Sequence, residues 1–302
     1  MRYRYLHYDV FTAERFGGNQ LAVLPHASGL SSEQMQAITR EFNFSESTFV
    51  LPRVREDTDV RMRIFTPGRE MPMAGHPTVG STFALCHEGV IPAGQRRWVF
   101  GLNIGPTPVD IEWEGTTASF VWMNQDMPRF GPQVGDASLA ARSLGLDEED
   151  LAKTGLPVEQ VSCGVPFVFF PVATRRAVDN ARPNLEAFAS LCRGAGTDDH
   201  AMFVFSAERS GDRATVYSRM FAPGLGVFED PATGAASGPL GCYLVHHGVV
   251  RPEDAGSIVS LQGVKMGRPS WIHIDVGIAG GTIDRVRVGG KAVLVAEGEM
   301  VV

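Results

Sequence analysis

The sequence of 302 residues is poor in several features, and each shortage excludes a class of protein. It has four cysteines and no Cys-x-x-Cys pair, which favours free buried thiols over disulfides or zinc ligands. Lysine and arginine are outnumbered by aspartate and glutamate, 27 to 34, and form no basic run, so neither nucleic acid nor an anionic membrane is expected as a partner. The longest apolar stretch, residues 165–173, is too short to span a bilayer.

Several catalytic motifs are absent as well. The sequence has no Gly-x-x-x-x-Gly-Lys-[Ser/Thr] loop and no Gly-x-Gly-x-x-Gly turn that opens a helix after a strand, which argues against a nucleotide site. It also has neither the Gly-x-Ser-x-Gly elbow of an α/β-hydrolase nor the His-Glu-x-x-His helix of a zinc protease. We therefore predict no metal site and no cofactor.

The remaining composition is that of an ordinary globular protein. Apolar residues make up 44% and charged residues 20% of the chain, and its length is sufficient for two domains. Residues 1–10 alternate between polar and apolar like a strand and lack the apolar core of a signal peptide. These features predict a soluble cytoplasmic protein.

One pattern occurs twice. Arg-x-Phe-x-Pro-Gly stands at residues 63–68 and again at 219–224, each time followed by a loop and a small-residue turn that opens an apolar helical run. Phe203 and Phe221 follow Phe49 and Phe65 by the nearly constant offsets of 154 and 156 residues. A repeat of this length indicates duplicated domains. We predict that each domain aims a helix N-terminus at a shared cleft, which suits a small anion.

The predicted strands mostly follow one another, with one or two helices in each half of the chain. This order indicates an α+β fold of two pseudo-symmetric domains with curved mixed or antiparallel sheets, rather than a doubly wound βαβ repeat. The N-terminal domain is predicted over residues 1–126, joined by the last strand at 292–302, and the C-terminal domain over 127–291. Residues 127–133, which contain two prolines and a glycine, are the predicted linker.

Glu46 is a candidate acid/base group. It stands where a predicted helix gives way to a strand, in the segment Asn-Phe-Ser-Glu-Ser-Thr-Phe-Val at 43–50. Apolar neighbours raise the pKa of a carboxyl group by desolvation, which would let it both take and give a proton near neutral pH. A solvated glutamate at a strand edge is the alternative.

His76 and Asp230 each stand at a predicted helix start. Pro77 fits the first helical position, and His76 then lies at the cap, where it either donates a hydrogen bond to a ligand or serves only the turn. Asp230 or Thr233 can cap the second helix, and an N-cap needs no further role. Because Pro239 lies inside this run, the second helix is predicted either to start near Ser237 or to be kinked.

Taken together, these segments resemble the PhzF-like isomerases of phenazine biosynthesis, which are similar in fold to diaminopimelate epimerase. The motifs appear in the family's order and span nearly the whole chain, at residues 9–12, 18–23, 43–50, 65–67, 74–80, 229–234, 267–270 and 289–290.

The resemblance implies a role for several residues. Glu46 matches the acid/base that moves a proton between carbons, and His76 and Asp230 match groups that hold and polarise the substrate. The backbone around Gly75 and Gly234 matches the sites that take carboxylate oxygens. The residues predicted to bind the substrate are Gly75, Pro77, Thr78, Thr233, Gly234 and Ala235.

Two departures from related patterns bear on the reaction. Diaminopimelate epimerase places a thiol at each of the two helix starts, and this chain has a cysteine at neither, which disfavours a two-thiol racemase. Ala235 stands where the PhzF pattern usually has a serine. Because that hydroxyl is missing, the resemblance does not establish that the substrate is the phenazine precursor.

The sequence therefore predicts a cofactor-independent isomerase acting on a small anionic carboxylate, with a homodimer as the assembly considered. One alternative is an amino-acid-type epimerase or racemase, with Glu46 and Asp230 on opposite faces of one carbon. The other is a non-catalytic protein that binds a small metabolite in the same cleft.

Overall fold

The computed structural model describes residues 1–197, 201–225 and 227–302. The helices and strands of the first half, in chain order, are β1 (Arg2–Val10), β2 (Asn19–Leu24), α1 (Ser32–Phe42), β3 (Glu46–Leu51), β4 (Val60–Phe65), β5 (Glu70–Met71), α2 (Gly75–His87), β6 (Arg97–Leu102), β7 (Gly105–Glu114) and β8 (Thr117–Asn124).

The second half continues the numbering. Its elements are β9 (Arg129–Val134), α3 (Ala137–Leu144), α4 (Glu148–Ala152), β10 (Val158–Ser162), β11 (Pro166–Pro171), α5 (Arg175–Asn180), α6 (Leu185–Ala195), β12 (Met202–Ser206), β13 (Val216–Ala222), β14 (Val227–Asp230), α7 (Gly234–His246), β15 (Ile258–Gln262), β16 (Ser270–Ala279), β17 (Thr282–Gly290) and β18 (Ala292–Val301). Short 3-10 turns lie at Pro223–Leu225, Pro252–Ser257 and Val264–Met266.

The chain divides into two compact units. Unit 1 comprises Met1–Asn124 and Val288–Val302, and unit 2 comprises Gln125–Arg287. Each combines mixed strand pairing with helices, which is the α+β class that the sequence predicts. Among the described residues unit 1 has two helices, as predicted, but unit 2 has five rather than one or two, because α3–α6 add to its core helix.

In unit 1 the strands surround one helix. The last strand of the chain, β18, pairs antiparallel with β1, which pairs antiparallel with β2. The order then continues through β3, parallel to β2, to β4 and β6–β8. Helix α2 contacts β1, β2, β3, β8 and β18, and its residues from Gly75 to Leu85 are all buried. A helix buried on all sides is a core helix.

Unit 2 repeats the pairing scheme of unit 1. Strands β10 and β11 pair antiparallel like β1 and β2, and β11–β12 is parallel like β2–β3. Next, β12–β13 and β13–β14 are antiparallel, β13–β15 is parallel and β15–β16 is antiparallel, which matches β3 to β7 step by step. Helix α7 contacts β10, β11 and β16 and takes the place of α2.

The close packing of both core helices depends on glycine. A Cβ at Gly80 of α2 would lie 2.6 Å from side-chain atoms of Leu21 and Val10. At Gly241 of α7 it would lie 2.5 Å from Ile274 Cγ2. Only glycine lets a helix approach the surrounding strands this closely without displacing them.

The predicted linker at 127–133 is wrong for most of its length. Residues Arg129–Val134 form β9, which pairs antiparallel with β10. Its proline and glycine favour a loop by local preference alone, but β9 is largely exposed, and proline is tolerated on strands of that kind. In the described part of the chain no helix is both long and apolar enough to cross a membrane.

Candidate functional site

The repeated Arg-x-Phe motif builds the approach to each core helix. In unit 1, Arg63 Nε and Nη2 donate to Glu70 Oε1 and Oε2 at 2.8 and 2.6 Å, and the guanidinium lies 5.0 Å from the centre of the Phe65 ring. Residues two apart on a strand share a face, so the arginine can stack on the phenylalanine. The bidentate pair fastens β5 to β4 just before α2 begins.

The same arrangement occurs in unit 2. Arg219 donates to both carboxylate oxygens of Glu229 at 2.8 and 2.9 Å and lies 4.6 Å from the centre of the Phe221 ring. Its Nη1 also reaches three backbone carbonyls, those of Val178, Asp179 and Ala181. The partner carboxylates Glu70 and Glu229 have roles that the sequence analysis did not assign.

Helix α2 starts earlier than predicted. It begins at Gly75, so His76 and Pro77 are its second and third residues rather than its cap and first residue. Proline is tolerated throughout the first turn because the N–H groups there donate to no intrahelical carbonyl. The N-cap, Ala74, provides no side-chain hydrogen bond, and Thr78 Oγ1 donates back to the Ala74 carbonyl at 2.8 Å.

Glu46 and His76 meet at this helix start. Glu46 Oε2 lies 3.2 Å from His76 Nδ1, with the histidine side chain 3% and the glutamate side chain 15% exposed. Asn19 Nδ2 also lies 3.2 Å from His76 Nδ1, and Asn19 Oδ1 accepts a hydrogen bond from Ser45 Oγ at 2.8 Å. The surroundings of Glu46 thus include polar groups. Phe49, three residues further along β3, packs in an apolar cluster with Leu24 and Phe65.

His76 is neutral at neutral pH. Burial lowers its pKa to about 3, against a smaller opposing effect of a hydrogen bond to the Gln20 backbone. The contact with Glu46 is therefore one between a neutral ring and a carboxyl group rather than an ion pair. His76 Nε2 is buried and has no hydrogen-bond partner within the described residues.

The tautomer of His76 decides what Nε2 can do. With the ring proton on Nδ1, the imidazole can donate toward the Glu46 carboxylate, and Nε2 is an acceptor. With the ring proton on Nε2, Nδ1 can accept from Asn19 Nδ2 or from a protonated Glu46, and Nε2 is a donor. A change between the two tautomers requires a group that delivers or removes a proton at Nε2.

In unit 2, a buried loop precedes α7. Asp230 ends β14 and is 7% exposed, and Thr233 Oγ1 donates to its Oδ2 at 2.6 Å. Gln262, which is fully buried, donates to the Asp230 carbonyl at 2.7 Å and to Thr233 Oγ1 at 3.0 Å. Its Oε1 accepts from the Thr233 N–H at 3.1 Å. Thr233 is the N-cap residue, but its hydroxyl serves Asp230 rather than the helix.

Helix α7 starts at Gly234, so a start near Ser237 is wrong and Pro239 lies within the helix. Gln125 Nε2 donates to the Gly234 carbonyl at 2.9 Å. A Cβ at Gly238 would lie 1.9 Å from Gln125 Oε1, so this contact requires a glycine. Ala235 is partly buried against the core of unit 2.

The structure therefore brings the predicted residues together in two groups. Unit 1 gathers Glu46 with the first turn of α2, and unit 2 gathers Asp230 with the first turn of α7. No role was predicted from the sequence for the amides of Asn19, Gln125 and Gln262. In the described ranges, no group of three or more His, Cys, Asp or Glu side chains could hold a metal ion.

Comparisons with known proteins agree with this architecture. The family described as phenazine biosynthesis-like protein matches residues 8–298. An uncharacterised isomerase of Mesorhizobium japonicum is 37% identical over 298 residues, which cover 98% of each chain. The trans-2,3-dihydro-3-hydroxyanthranilate isomerase of Pseudomonas aeruginosa is 35% identical over 296 residues, again with 98% of each chain covered.

A solved structure gives the same result. The PhzF-family phenazine biosynthesis protein of Bacillus anthracis superposes with a TM-score of 0.87 at 29% sequence identity, and the match covers 100% of both chains. Because the family match spans nearly the whole sequence and the relatives exceed 30% identity over their full length, the chain is an enzyme of the PhzF-like isomerase family, the family of phenazine biosynthesis-like proteins.

Proposed function

We propose that this enzyme moves a proton between two carbons of a small carboxylate without a cofactor, and that Glu46 carries the proton. The observation that supports this most is the contact of Glu46 with a buried, neutral histidine whose second nitrogen has no partner among the described residues. The relative that acts on trans-2,3-dihydro-3-hydroxyanthranilate supports a substrate of similar chemistry.

The proposed reaction needs only a base that becomes an acid. Ionised Glu46 takes a proton from a carbon, and the electron pair of the broken C–H bond enters an adjacent π system conjugated with a carbonyl or carboxylate. Protonated Glu46 then returns the proton to another carbon, where the new C–H bond forms. Atoms and electrons balance without a redox partner. A positioned acid/base group of this kind contributes ~10²–10⁴-fold in rate.

His76 would orient Glu46 for both proton transfers. The neutral imidazole can donate its Nδ1–H to the ionised carboxylate, so the base is positioned before the proton transfer begins. In this tautomer Nε2 carries no proton and can accept a hydrogen bond from a hydroxyl or amino group of the substrate.

The two helix starts would bind carboxylate oxygens. The N-cap side chains of α2 and α7 make no capping hydrogen bond, so neither side chain competes for the first backbone N–H groups of the helix. Such N–H groups favour anions. Ala235, at the first turn of α7, offers no hydroxyl, and we therefore propose a substrate that differs from the phenazine precursor near that carboxylate. A cytoplasmic location and a homodimer stay predictions.

The test is hydrogen exchange in heavy water with trans-2,3-dihydro-3-hydroxyanthranilate and a panel of small unsaturated carboxylates, read by NMR. We expect Glu46→Gln, which keeps the shape and removes the base, to reduce turnover by ~10²–10⁴-fold with little change in ligand affinity. The matched control is Glu41→Gln, an exposed glutamate in the same unit. Undiminished turnover in Glu46→Gln would show that another group carries the proton.

The position of the label separates the isomerase from the epimerase. A proton shift between carbons changes the carbon skeleton's pattern of double bonds, and one carboxylate can retain part of the original hydrogen. An epimerase with two bases would exchange one hydrogen with solvent and invert a single centre without moving a double bond. Tight binding with no exchange at any carbon would instead favour the non-catalytic binding protein.

A further inference from the structure

Unit 2 has a polar cavity that the proposed reaction does not use. Its volume is about 510 Å³, within the range of small-molecule sites. Its charged lining comes from two segments of chain. Arg209 and Arg213 lie between β12 and β13, and Arg251 and Asp254 follow α7. Three arginines and one aspartate thus line the same cavity.

Arg213 forms no salt bridge within the described ranges, and the pKa of the neighbouring Asp212 carboxyl group is lowered chiefly by its hydrogen bond to Arg175, with a contribution from the charge of Arg209. The Arg213 guanidinium lies 4.4 Å from the centre of the Trp271 ring, which orients it without neutralising its charge. Arg209 Nη1 donates to the Ala214 carbonyl at 2.8 Å, and Asp212 between them is held by both Nη atoms of Arg175. The lining of the cavity itself thus carries three arginines and one aspartate, in a chain whose net charge is −7.

Arg251 differs from the other two. It pairs with Asp254 at 2.8 Å and with Glu253 at 3.2 Å, and its side chain is 70% exposed. Exposed pairs of this kind are weak and exchange readily. A ligand with greater negative charge could therefore engage Arg251 as a third, auxiliary group, while Arg209 and Arg213 provide the fixed positive charge.

The arginines are not needed to neutralise the C-terminus of α7, which lies nearby. The Gly248 backbone adopts a left-handed conformation, and the Val249 and Val250 N–H groups donate to the Leu244 carbonyl at 2.9 and 3.0 Å. Backbone N–H groups that follow the helix thus already provide its C-terminal capping hydrogen bonds. The candidate site in unit 2 lies at the other end of this 13-residue helix, roughly 20 Å away at 1.5 Å per residue.

We infer that this cavity is a binding site for a small phosphate-bearing polyanion, separate from the groups proposed for the isomerase reaction. Arginine forks match phosphate oxygens bidentately, and a guanidinium already ordered on an aromatic ring loses little freedom on binding. The cavity is polar rather than apolar, so it suits a compact anion such as a diphosphate group better than a hydrophobic ligand.

Trp271 provides a direct probe of the site. The other three tryptophans, Trp98, Trp113 and Trp122, all belong to unit 1. We would label the protein with 5-fluorotryptophan, assign the Trp271 signal with Trp271→Phe, and titrate with inorganic pyrophosphate while recording ¹⁹F NMR spectra. We expect a saturable shift of the Trp271 signal, with the unit 1 signals as internal references.

Matched variants decide whether the arginines form the site. Arg209→Gln and Arg213→Gln should each weaken pyrophosphate binding about tenfold or more, because each removes a charge-assisted phosphate contact. Arg176→Gln removes the same charge from an exposed position of unit 2 outside the cavity and should leave binding nearly unchanged. Equal weakening by all three variants would overturn the proposal, because only long-range electrostatics would then be acting.

Two further results would also overturn the proposal. One is an unmoved Trp271 signal up to about 10 mM pyrophosphate, a concentration beyond which binding would be too weak to be specific. The other is tighter binding of citrate than of pyrophosphate, which would identify a polycarboxylate site instead. None of these readouts depends on isomerase activity, so the cavity and the proposed reaction can fail independently.

Discussion

The N-termini of α2 and α7 have the same framework and different chemistry. Both helices are 13 residues long, begin at a glycine, lack a side-chain cap and are buried in the middle of their own unit. The first turn of α2 carries a histidine in contact with a glutamate, with one imidazole nitrogen left without a partner in the described chain. The loop before α7 carries an aspartate fixed through a threonine and a glutamine.

In the proposed function, this difference separates two tasks on a duplicated framework. A group that moves a proton needs a neighbour whose hydrogen bonds can be rearranged, and His76 can exchange its donor and acceptor nitrogens. A group that holds charge in one place benefits from rigid hydrogen bonds. Gln262, at the end of β15, fixes the Asp230 carbonyl and Thr233, whose hydroxyl donates to the Asp230 carboxylate. The turnover test of Glu46→Gln described above tests the role proposed for the start of α2, where the largest effect is expected.

The ion pair Arg63–Glu70 joins β4 to β5, and the ion pair Arg219–Glu229 joins β13 to β14. The two pairs should differ in strength. Arg219→Met leaves Glu229 and three carbonyls without their donor at a site where the arginine is 6% exposed, so we expect a loss of about 3–5 kcal/mol in the free energy of unfolding. Arg63→Met should cost less, because Glu70 is 27% exposed and keeps a hydrogen bond from Asn103. Chemical denaturation measures both.

The control for these substitutions is Arg55→Met, whose pair with Asp57 is 53% exposed on both sides and should have no measurable effect. If Arg63→Met proved as destabilising as Arg219→Met, the two motifs would be equivalent in energy as well as in geometry. The difference between the two units would then be confined to the starts of α2 and α7.

The two core helices should respond alike to added volume. Gly80→Ala and Gly241→Ala each place a Cβ within 2.6 Å of a branched side chain, and overpacking of this kind costs about 1–3 kcal/mol. Gly194→Ala, on α6, meets no atom within 4 Å and should stabilise the protein by about 0.5–1 kcal/mol. A large loss for only one of the two core glycines would contradict the equivalence of α2 and α7.

The sequence revealed most of what depends on local rules. The repeated Arg-x-Phe-x-Pro-Gly pattern indicated the duplication, and the start of α1 carries a capping box of Ser31 and Gln34, which is a local sequence signal. The start of α2 was misplaced because a proline fits every position of the first turn. The preference of proline for the first helical turn therefore places the start of α2 only to within about three residues.

The remaining parts of the site depend on contacts between distant segments. Gln262 follows Thr233 by 29 residues, and nothing in its own segment distinguishes it from any other glutamine on a strand. Asn19 reaches His76 across 57 residues in the same way. Such partners become identifiable only when the strand order is known, because the pairing of β13 with β15 brings the end of β15 to the Asp230 loop.

Burial of His76 should also affect stability as a function of pH. Its pKa is about 3 in the folded protein and about 6.5 in an unfolded chain, so between these values the unfolded state binds one more proton. Stability contributed by the neutral ring is therefore complete above pH 6.5 and is lost as the pH falls toward 3, by up to about 1.4 kcal/mol per pH unit. Denaturation between pH 4 and 8 measures this slope.

His76→Asn should flatten that pH dependence, because asparagine keeps a polar atom near the Nδ1 position but does not titrate. The exposed His26 is the matched control in the same unit, and His26→Asn should leave the slope unchanged. If the His76 ring were instead found by NMR to titrate near pH 6.5, it would be charged beside Glu46 at mildly acidic pH. The contact would then be an ion pair, both helix starts would hold fixed charges, and the proposed division of tasks between them would fail.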